Sequence, residues 1–538
     1  MTIIKNGLVV DGTGAPAFPA DVVVEGERIA SVERRADDAR SADSTAQSDV
    51  ETIDASGCLV TPGFIDFHSH SDAYLVIEPD APSKLAQGIT TEINGQCGGS
   101  VAPRYGEARL SSDWAAVLGE KLTWRSLAEY REELEKARPA INTVQFIGHN
   151  TLRSSVVGYA GRAATADETT RMVRLLEQSL DEGGWGLTTG LVYQPGKYST
   201  PEEVVTLAAA AAKRGGFYAT HMRSESDAIL EAIDEVLELV EATGIRAEIS
   251  HLKTSGRRNW GKIDAVLDKI DKAVESGKLL GSDRYPYCAA GTDLDIVFPD
   301  WAGEGGAPEE MKRLADSSLR RRIEREIDES GRDWSSVTIG GTWHPETKKF
   351  SGKTVAEIIS GQSTVDNRQS DVIRRTSPGE LICSILALDG CKTGGFFAGM
   401  SPENLAKIYS RPYVLAGSDA SLRAPWGPLG ADHPHPRAYG TMPEYYAALR
   451  NLGFSREDTV RRMTGDAARR FGIRGRGVVE KGAFADIVVW REAEFKSTST
   501  YDRPHSFASG VECVMVNGSV PYRGGRFTGD RNGAFLER

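Results

Sequence analysis

The sequence predicts an α/β fold: a (β/α)8 barrel with a small β-sandwich domain formed by both chain termini and an inserted lid segment. Three observations indicate this fold. Short β-branched runs occupy both ends of the chain, strand-like runs alternate with amphipathic helical runs in the middle, and that alternation lapses once. A length of 538 residues allows one large domain with an accessory domain.

The two ends of the chain have the same composition pattern. The N-terminal runs TIIKNGLVVDG and ADVVVEGERIASVE resemble the C-terminal runs GAFADIVVW and GVECVMVNGSV, each β-branched and bounded by turn residues. We therefore predict that residues 1–60 and 476–538 form one β-sandwich domain. The charged, Ser- and Ala-rich stretch 34–49 has no apolar period and indicates an exposed loop.

The middle of the chain, residues 61–475, is predicted to be the barrel. Strand-like runs are followed repeatedly by helical ones, as in FYATHM before ESDAILEAIDEVLELVEATG. Such repeats predict parallel strands with right-handed crossovers, and their number favours a closed barrel, whose active site lies at the C-terminal strand ends. The alternation lapses over residues 291–390, where we expect an insertion that acts as a lid or binds substrate.

Composition excludes several classes of partner. Subtracting 76 acidic from 64 basic residues gives a net charge of −12, which disfavours a nucleic-acid partner. We find no apolar run long enough to cross a bilayer, and the N-terminal sequence has no signal-peptide pattern, so we expect a cytoplasmic protein with no membrane partner. Six cysteines without C-x-x-C spacing disfavour a disulfide framework.

Residues that can bind a metal stand at the predicted strand ends. His68 and His70, in GFIDFHSHSD, point to the same side of an extended segment. Four further candidates end later strands, namely Cys97, His221, His251 and Asp419. Each alone has an ordinary explanation as a packed or hydrogen-bonded residue, but together they indicate a metal site.

The donor types in this set favour one metal and one kind of reaction. Thiolate, imidazole and carboxylate together suit Zn²⁺, whereas Mg²⁺ would require more oxygen ligands. A zinc site with a nearby Asp as general base and acid can hydrolyse an amide without a covalent intermediate.

Five further histidines are not among these candidate ligands. His149, in FIGHNTLR, stands at a strand end and is a candidate to orient a ligand. Four others lie in predicted loops, where solvated side chains are expected: His344, His433, His435 and His505.

A series of motifs runs in order along almost the whole chain: the H-x-H strand, GHNTLR, GLTTGLVYQPGKYS, THMRSE, ISHLK, DRYPY, GSDA, HPRAYGT and MTGDAARRFGIRGRGVVEKGAFADIVV. With these motifs the chain resembles the N-acyl-D-amino-acid deacylases (D-aminoacylases) of the amidohydrolase superfamily. The resemblance implies zinc-dependent hydrolysis of N-acyl-D-amino acids to a carboxylate and a free D-amino acid.

The resemblance also implies a role for each candidate. A tight zinc is implied on Cys97, His221 and His251, and a second, weaker site on His68, His70 and Asp419, with Cys97 able to bridge. Asp419 is implied as the general base.

Arg437, in HPRAYGT, is implied as the partner of the substrate α-carboxylate, which a planar two-pronged donor suits. Lys253, Tyr193 and Tyr285 are implied to help it bind the substrate.

Three alternatives stay open from the sequence: a cyclic-amide hydrolase like the hydantoinases, a D-dipeptidase, and a barrel without catalytic activity. Hydantoinases bridge two metals with a carboxylated lysine, yet the strands ending FIGHN and GLTTG carry no lysine there. The resemblance implies that Cys97 takes the place of this lysine as the bridging ligand. The preferred acyl group and side chain, and the oligomeric state, are not fixed by the sequence.

Overall fold

The computed structural model describes residues 1–35, 50–110, 118–119, 122–362 and 376–538, so most of the predicted 34–49 loop lies outside the described residues. The strands of the described part, numbered in chain order, are β1 Thr2–Val9, β2 Phe18–Glu25, β3 Arg28–Arg34, β4 Glu51–Asp54, β5 Leu59–Pro62, β6 Phe64–Asp66, β7 Ile89–Asn94, β8 Asn142–Gln145, β9 Ile147–Gly148, β10 Gly186–Gly190, β11 Phe217–His221, β12 Arg246–Ile249, β13 Leu280–Arg284, β14 Ala289–Asp293, β15 Val337–Ile339, β16 Gly394–Ala398, β17 Val414–Ala416, β18 Ile487–Trp490, β19 Val511–Val516, β20 Ser519–Arg523 and β21 Arg526–Phe527.

Helices follow most of the barrel strands. The described α-helices are Tyr74–Ile77, Pro82–Leu85, Leu127–Ala137, His149–Val156, Ala166–Asp181, Pro201–Lys213, Ile229–Thr243, Ile263–Glu275, Asp300–Gly303, Ala307–Ala315, Ser317–Asp328, Val355–Gln362, Pro378–Asp389, Pro402–Tyr409, Arg437–Asn451, Arg456–Met463 and Gly465–Phe471. Their starts follow local chemistry; for example, Thr165 and Glu168 form a capping box that satisfies free N–H groups at the first turn. None of these helices is long and apolar enough to span a bilayer.

Both ends of the chain contribute to one nine-stranded sheet, ordered β21-β20-β19-β18-β5-β1-β2-β3 with β4 also paired to β1. The junction is the antiparallel pair of β18 and β5, in which Val489 lies opposite Val60. Residues from both ends, such as Val22, Ile487 and Met515, share one buried apolar cluster. The predicted union of the two termini is confirmed, while the exact domain limits 1–60, 61–475 and 476–538 stay a proposal.

The central part is a barrel of parallel strands. One described sheet runs β6-β7-β8 and another β9-β10-β11-β12-β13-β17, with β8 and β9 forming one strand position interrupted at Phe146. The ring closes between β17 and β6, where Phe67 N–H donates to the Ala416 carbonyl at 3.0 Å. Counting β8 and β9 once, eight strand positions result, so the predicted (β/α)8 barrel is confirmed.

An insertion separates the last two barrel strands, β13 and β17. It contains an antiparallel sheet, ordered β14-β16-β15, and several helices. These elements enclose their own apolar cluster, which includes Leu294, Ile323 and Leu386. Of the predicted 291–390 segment, residues 363–375 lie outside the described residues, and its function as a lid stays a proposal.

Candidate active site

The structure brings all six predicted metal ligands together at the C-terminal end of the barrel. Each follows or ends a barrel strand: β6, β7, β11, β12 or β17. They form two groups in which the ligand atoms lie within 4.8 Å of one another, His68, His70, Cys97 and Asp419 in the first and Cys97, His221 and His251 in the second. Cys97 belongs to both groups and therefore lies between two possible metal positions.

Three of these residues have backbone conformations that L-residues rarely adopt. The φ angles are +51° at Cys97, +37° at His251 and +50° at Asp419. A non-glycine residue in this region costs of order 1 kcal/mol or more and persists only where the surroundings fix it, typically at functional sites. The side chains of all three residues belong to the two ligand groups at the end of the barrel.

Two carboxylates orient two of the histidines. Nδ1 of His68 lies 3.0 Å from Oδ2 of Asp283, and Nε2 lies 3.4 Å from the Cys97 sulfur. Nδ1 of His251 lies 2.8 Å from Oε1 of Glu225, and Nε2 lies 3.2 Å from the same sulfur. A carboxylate on one ring nitrogen directs the other toward a metal, as in carboxylate–histidine–zinc arrangements.

Neither carboxylate is among the sequence-predicted site residues. Asp283 lies near the end of β13, inside the DRYPY motif, and Glu225 follows His221 by four residues. Asp283 lies in a barrel strand and Glu225 in the loop after β11, and carboxylates are too common in both places to mark these two in the sequence.

The charges in the site suit a cation. Burial alone would raise the pKa of the Cys97 thiol, but the neighbouring His251 and His68 outweigh it and hold that pKa well below its usual range. Burial likewise opposes ionisation of Asp419, yet Arg437 and the histidines keep its pKa well below the ordinary value. Both shifts favour the anionic form, which suits a bound cation.

Two features of these residues fit a zinc ion: the types of their donor atoms and a buried nitrogen of His221 that lacks a hydrogen-bond partner in the described structure. Sulfur, imidazole nitrogen and carboxylate oxygen are the ligands that zinc prefers. Nδ1 of His221 is buried and has no hydrogen-bond partner among the described residues. A buried imidazole nitrogen without a partner is costly, and a metal ion would satisfy it.

The predicted substrate-binding residues lie beside this cluster. The Tyr285 ring has the Arg437 guanidinium carbon 4.8 Å and the Lys253 ammonium 5.9 Å from its centroid. Its hydroxyl is buried and has no partner in the described part of the chain. Burial alone would raise the pKa of Tyr285, but Lys253 and its cationic neighbours lower it. Tyr193 lies beside a different ligand residue: the centroid of its ring is 4.9 Å from that of the His221 ring.

Arg437 and Lys253 also bind groups of the protein. Nη1 of Arg437 donates to Oδ2 of Asp419 at 2.7 Å, and Nη2 donates to the Gly291 carbonyl of the insertion at 3.0 Å. Nε of Arg437 is buried without a partner in the described structure. The Lys253 ammonium donates to Oε1 of Glu225 at 2.5 Å. Arg437 thus keeps donor capacity for a ligand while it contacts Asp419.

Comparisons with known proteins agree with this geometry. The model of the Amidohydrolase family matches residues 51–286. An N-acyl-D-glutamate deacylase of Alcaligenes xylosoxydans xylosoxydans is 32% identical over 525 residues, covering 97% of this chain and 93% of the relative. A D-aminoacylase of the same organism is 30% identical over 540 residues, covering 100% of this chain and 97% of the relative.

The chain belongs to the D-aminoacylase family of amidohydrolases. A solved D-aminoacylase-family structure, the N-acyl-D-glutamate deacylase of Bordetella bronchiseptica complexed with zinc and a phosphonate mimic of the tetrahedral intermediate, has a TM-score of 0.80 at 30% identity. The match covers 100% of this chain and 99% of that chain. The chain is a metal-dependent hydrolase of linear amides.

Two further histidines of this D-aminoacylase-family protein differ in their surroundings. Nε2 of His149 lies 2.8 Å from Oε1 of Glu203, and this pair lies outside the two metal-ligand groups. His435, predicted to be solvated, is buried, so that prediction is wrong. Its Nδ1 accepts from Arg437 N–H at 3.0 Å. Burial and the nearby Arg437 hold the pKa of His435 well below its usual range.

Proposed function

We propose that the protein hydrolyses the amide bond of N-acyl-D-amino acids to a carboxylate and a free D-amino acid. One observation carries the proposal: Asp419 contacts both the metal-ligand group and Arg437, so a base and a carboxylate-binding group lie side by side. The names of the full-length relatives, which act on N-acyl-D-amino acids, support the same substrate class.

The proposed tight zinc site is Cys97, His221 and His251, and the proposed weaker site is His68, His70 and Asp419. The two groups share the Cys97 thiolate. When bound, zinc would polarise the scissile carbonyl and lower the pKa of the attacking water.

Asp419 is proposed to move the proton. Its Oδ1 lies 3.0 Å from Nε2 of His70, and its Oδ2 accepts from Arg437, so the carboxylate is held ionised and oriented. It accepts the proton of the attacking water as the new C–O bond forms. It then returns that proton to the amide nitrogen as the C–N bond breaks, which releases a neutral amine.

Arg437, Lys253, Tyr285 and Tyr193 are proposed to bind the substrate. Two cations beside the Tyr285 ring, together with its buried, unpartnered hydroxyl, suit the α-carboxylate of an amino acid. The Tyr193 hydroxyl lies 3.4 Å from Thr292 of the insertion, and we propose that it closes the opposite side of the site. His149, on its Glu203 partner, is proposed to support the start of the helix His149–Val156 near the site.

The proposed partner is a small molecule, with no membrane partner. No nucleic-acid partner is proposed, because the chain has a net charge of −12. A cytoplasmic location belongs to the same proposal.

The proposal is tested by steady-state assays on N-acetyl-D-amino acids, their L forms, D-dipeptides and a hydantoin, with zinc quantified in the same preparation. We expect turnover of the D forms and about one tightly bound zinc per chain. Cys97→Ala should lose zinc and activity, whereas Cys288→Ala, at a free cysteine outside both ligand groups, should keep them.

Preference for the hydantoin or for D-dipeptides would favour those alternatives. Zinc-free, inactive protein would favour a non-catalytic barrel. Full zinc content and normal turnover in Cys97→Ala would remove this cysteine from the proposed site.

A further inference from the structure

A lysine is buried beneath the metal-ligand residues, and no step of the proposed mechanism uses it. Lys84 lies in the short helix Pro82–Leu85 and is 0% exposed. A fully buried lysine is rare and requires paired acceptors for its charge.

The Lys84 ammonium has an acceptor for each of its three N–H groups. Its Nζ lies 2.7 Å from Oδ2 of Asp66, 2.9 Å from Oγ of Ser69 and 3.0 Å from the Ala420 carbonyl. A second buried carboxylate, Glu92, lies 3.4 Å away, and the Ser418 hydroxyl lies 3.3 Å away. The lysine is therefore fully satisfied and fixed in position.

These acceptors belong to the two strand ends that carry His70 and Asp419. Ser69 stands between His68 and His70, and Ser418 and Ala420 stand on either side of Asp419. The Ala420 carbonyl also accepts the His70 N–H at 3.3 Å. Asp66, in turn, accepts from the Ser418 N–H at 2.8 Å and from its hydroxyl at 2.6 Å.

We propose that Lys84 is a positioning residue that fixes Asp419 against His70 and so sets the weaker metal site and the general base, an inference that rests on the proposed function. Asp419 has a φ of +50°, a conformation that its surroundings must hold. The bond of Lys84 to the Ala420 carbonyl and its contacts with Ser69 and Ser418 hold both partners of the 3.0 Å contact between His70 and Asp419.

Loss of Lys84 is expected to affect one of the two proposed metal sites selectively. The tight-site residue His251 is oriented instead by Glu225 and by Asp283, which accepts its backbone N–H at 3.0 Å. The four hydrogen bonds of Lys84 are with the β6 and β17 ends. Its longer contact is with Glu92 of β7, whose carboxylate accepts from the Ser69 and Ser71 hydroxyls after β6. Loss of Lys84 should therefore weaken the site of His68, His70 and Asp419 and leave that of Cys97, His221 and His251 filled.

The test variant combines two substitutions, because Lys84→Met alone leaves two buried carboxylates, Asp66 and Glu92, without their cation and can fail to fold. Lys84→Met with Glu92→Gln removes one charge of each sign, while Asp66 keeps its donors from Ser418. Lys272→Met serves as the control, because this lysine is exposed and pairs with exposed Asp268.

Each protein is prepared with one equivalent of zinc and titrated with zinc alone, and kcat and KM are measured on an N-acetyl-D-amino acid. In the double variant, we expect the dissociation constant of the second zinc to rise about tenfold or more. We also expect kcat to fall about tenfold or more while KM changes less than about threefold. The first zinc should remain, and the control should match the wild type.

An unchanged second dissociation constant with unchanged kcat would overturn the inference. Equal loss of both zinc ions, or loss in proportion to a lower unfolding midpoint, would also overturn it, because Lys84 would then support only the fold. A wild type with full zinc that is inactive on every N-acyl-D-amino acid would instead overturn the proposed function.

Discussion

At the scale of single residues, Asp419 connects the parts of the candidate site. Its Oδ1 contacts Nε2 of His70 at 3.0 Å and Nε2 of His68 at 3.4 Å, and its Oδ2 accepts from Arg437. Its backbone N–H donates to the His68 carbonyl at 2.8 Å. One side chain thus touches a metal-ligand group and the proposed substrate-binding arginine.

Asp419→Asn tests the proposed base. Asn keeps the size of Asp and tolerates a positive φ, so the backbone at +50° should persist. Because an amide cannot accept the water proton, kcat should fall about 100-fold or more, with a smaller change in KM. Steady-state kinetics with zinc quantification check this, and Asp264→Asn, at an exposed position, is the control. Near-normal kcat with zinc present would make Asp419 structural.

The sequence was sufficient to predict which candidate ligands converge, but not the carboxylates that contact their histidines. Cys, His and Asp at strand ends are distinctive types, and all six candidates converge. Asp283 and Glu225 carry no such distinction, because carboxylates at strand ends and in loops are common. The buried state of His435 depends on Tyr501, 66 residues further along the chain, whose hydroxyl lies 3.1 Å from its Nε2.

At the scale of elements, neighbouring strand ends orient the ligands of one another. Asp283, on β13, bonds the His68 ring after β6 and the His251 N–H after β12. Gly417, after β17, allows this close approach, because a Cβ there would lie 2.6 Å from Cβ of His68 and 2.8 Å from Oδ1 of Asp283. The metal-ligand geometry is therefore a property of several strands at once.

Asp283→Asn tests this orienting contact. The amide oxygen can still accept the His251 N–H, but the charged acceptor for Nδ1 of His68 is lost. Loss of such a partner typically lowers metal affinity or activity by about 10- to 100-fold. Zinc titration of Asp283→Asn against the exposed-site control Asp268→Asn checks the effect. Equal zinc affinity in both variants would contradict it.

The contact of the insertion with the barrel gives a second prediction, at Arg437. This residue starts the helix Arg437–Asn451 and binds Asp419 and the Gly291 carbonyl of β14. Arg437→Met should lower kcat/KM on every substrate, because Asp419 loses its cation. The loss should be at least about tenfold larger for an N-acetyl-D-amino acid than for its carboxamide analogue, which lacks the charged group.

The ratio of the two kcat/KM losses is the measurement for Arg437→Met. Arg411→Met, at an arginine that is paired with Asp271 and lies outside the candidate site, is the control, with no expected difference between the substrates. Equal losses of Arg437→Met on both substrates would mean that Arg437 supports Asp419 and the loop without binding the carboxylate.

At the scale of the whole molecule, one buried acid joins the terminal sheet to the barrel. Oδ1 of Asp486 accepts the Asn517 N–H at 2.8 Å, and its Oδ2 accepts from Asn142 of β8 at 3.2 Å and from Arg476. Asn517 also donates to the Asn142 side chain at 2.8 Å. Asp486, just before β18, and Asn517, just after β19, thus meet the start of a barrel strand at one polar network.

The union of the termini was predictable because alternating β-branched runs need partners, whereas this network was not. Nor was the position of the C-terminal segment, in which Ala534 and Leu536 exchange backbone hydrogen bonds with Thr143 of β8. The segment contains RNGAFLER, without a strand-like run. Its path depends on contacts with residues about 390 positions away, such as Ala534 N–H on Asn142.

Arg476→Met tests the network as a determinant of stability. Arg476 and Asp486 are 6% and 3% exposed, so removal of the cation leaves a buried carboxylate without its charge partner. Removing one partner of a buried ion pair costs about 3–5 kcal/mol, whereas an exposed pair contributes less than about 1 kcal/mol.

The matched control is Arg523→Met. Arg523 pairs with Glu51, and both side chains are more than 40% exposed. We expect a clear fall in the urea midpoint for Arg476→Met only, and partial recovery of the midpoint when Asp486→Asn is added. The zinc content should not change, because the network lies at the opposite end of the barrel from the proposed metal ligands. Equal midpoints for the two arginine variants would show that the buried Arg476–Asp486 pair does not determine stability.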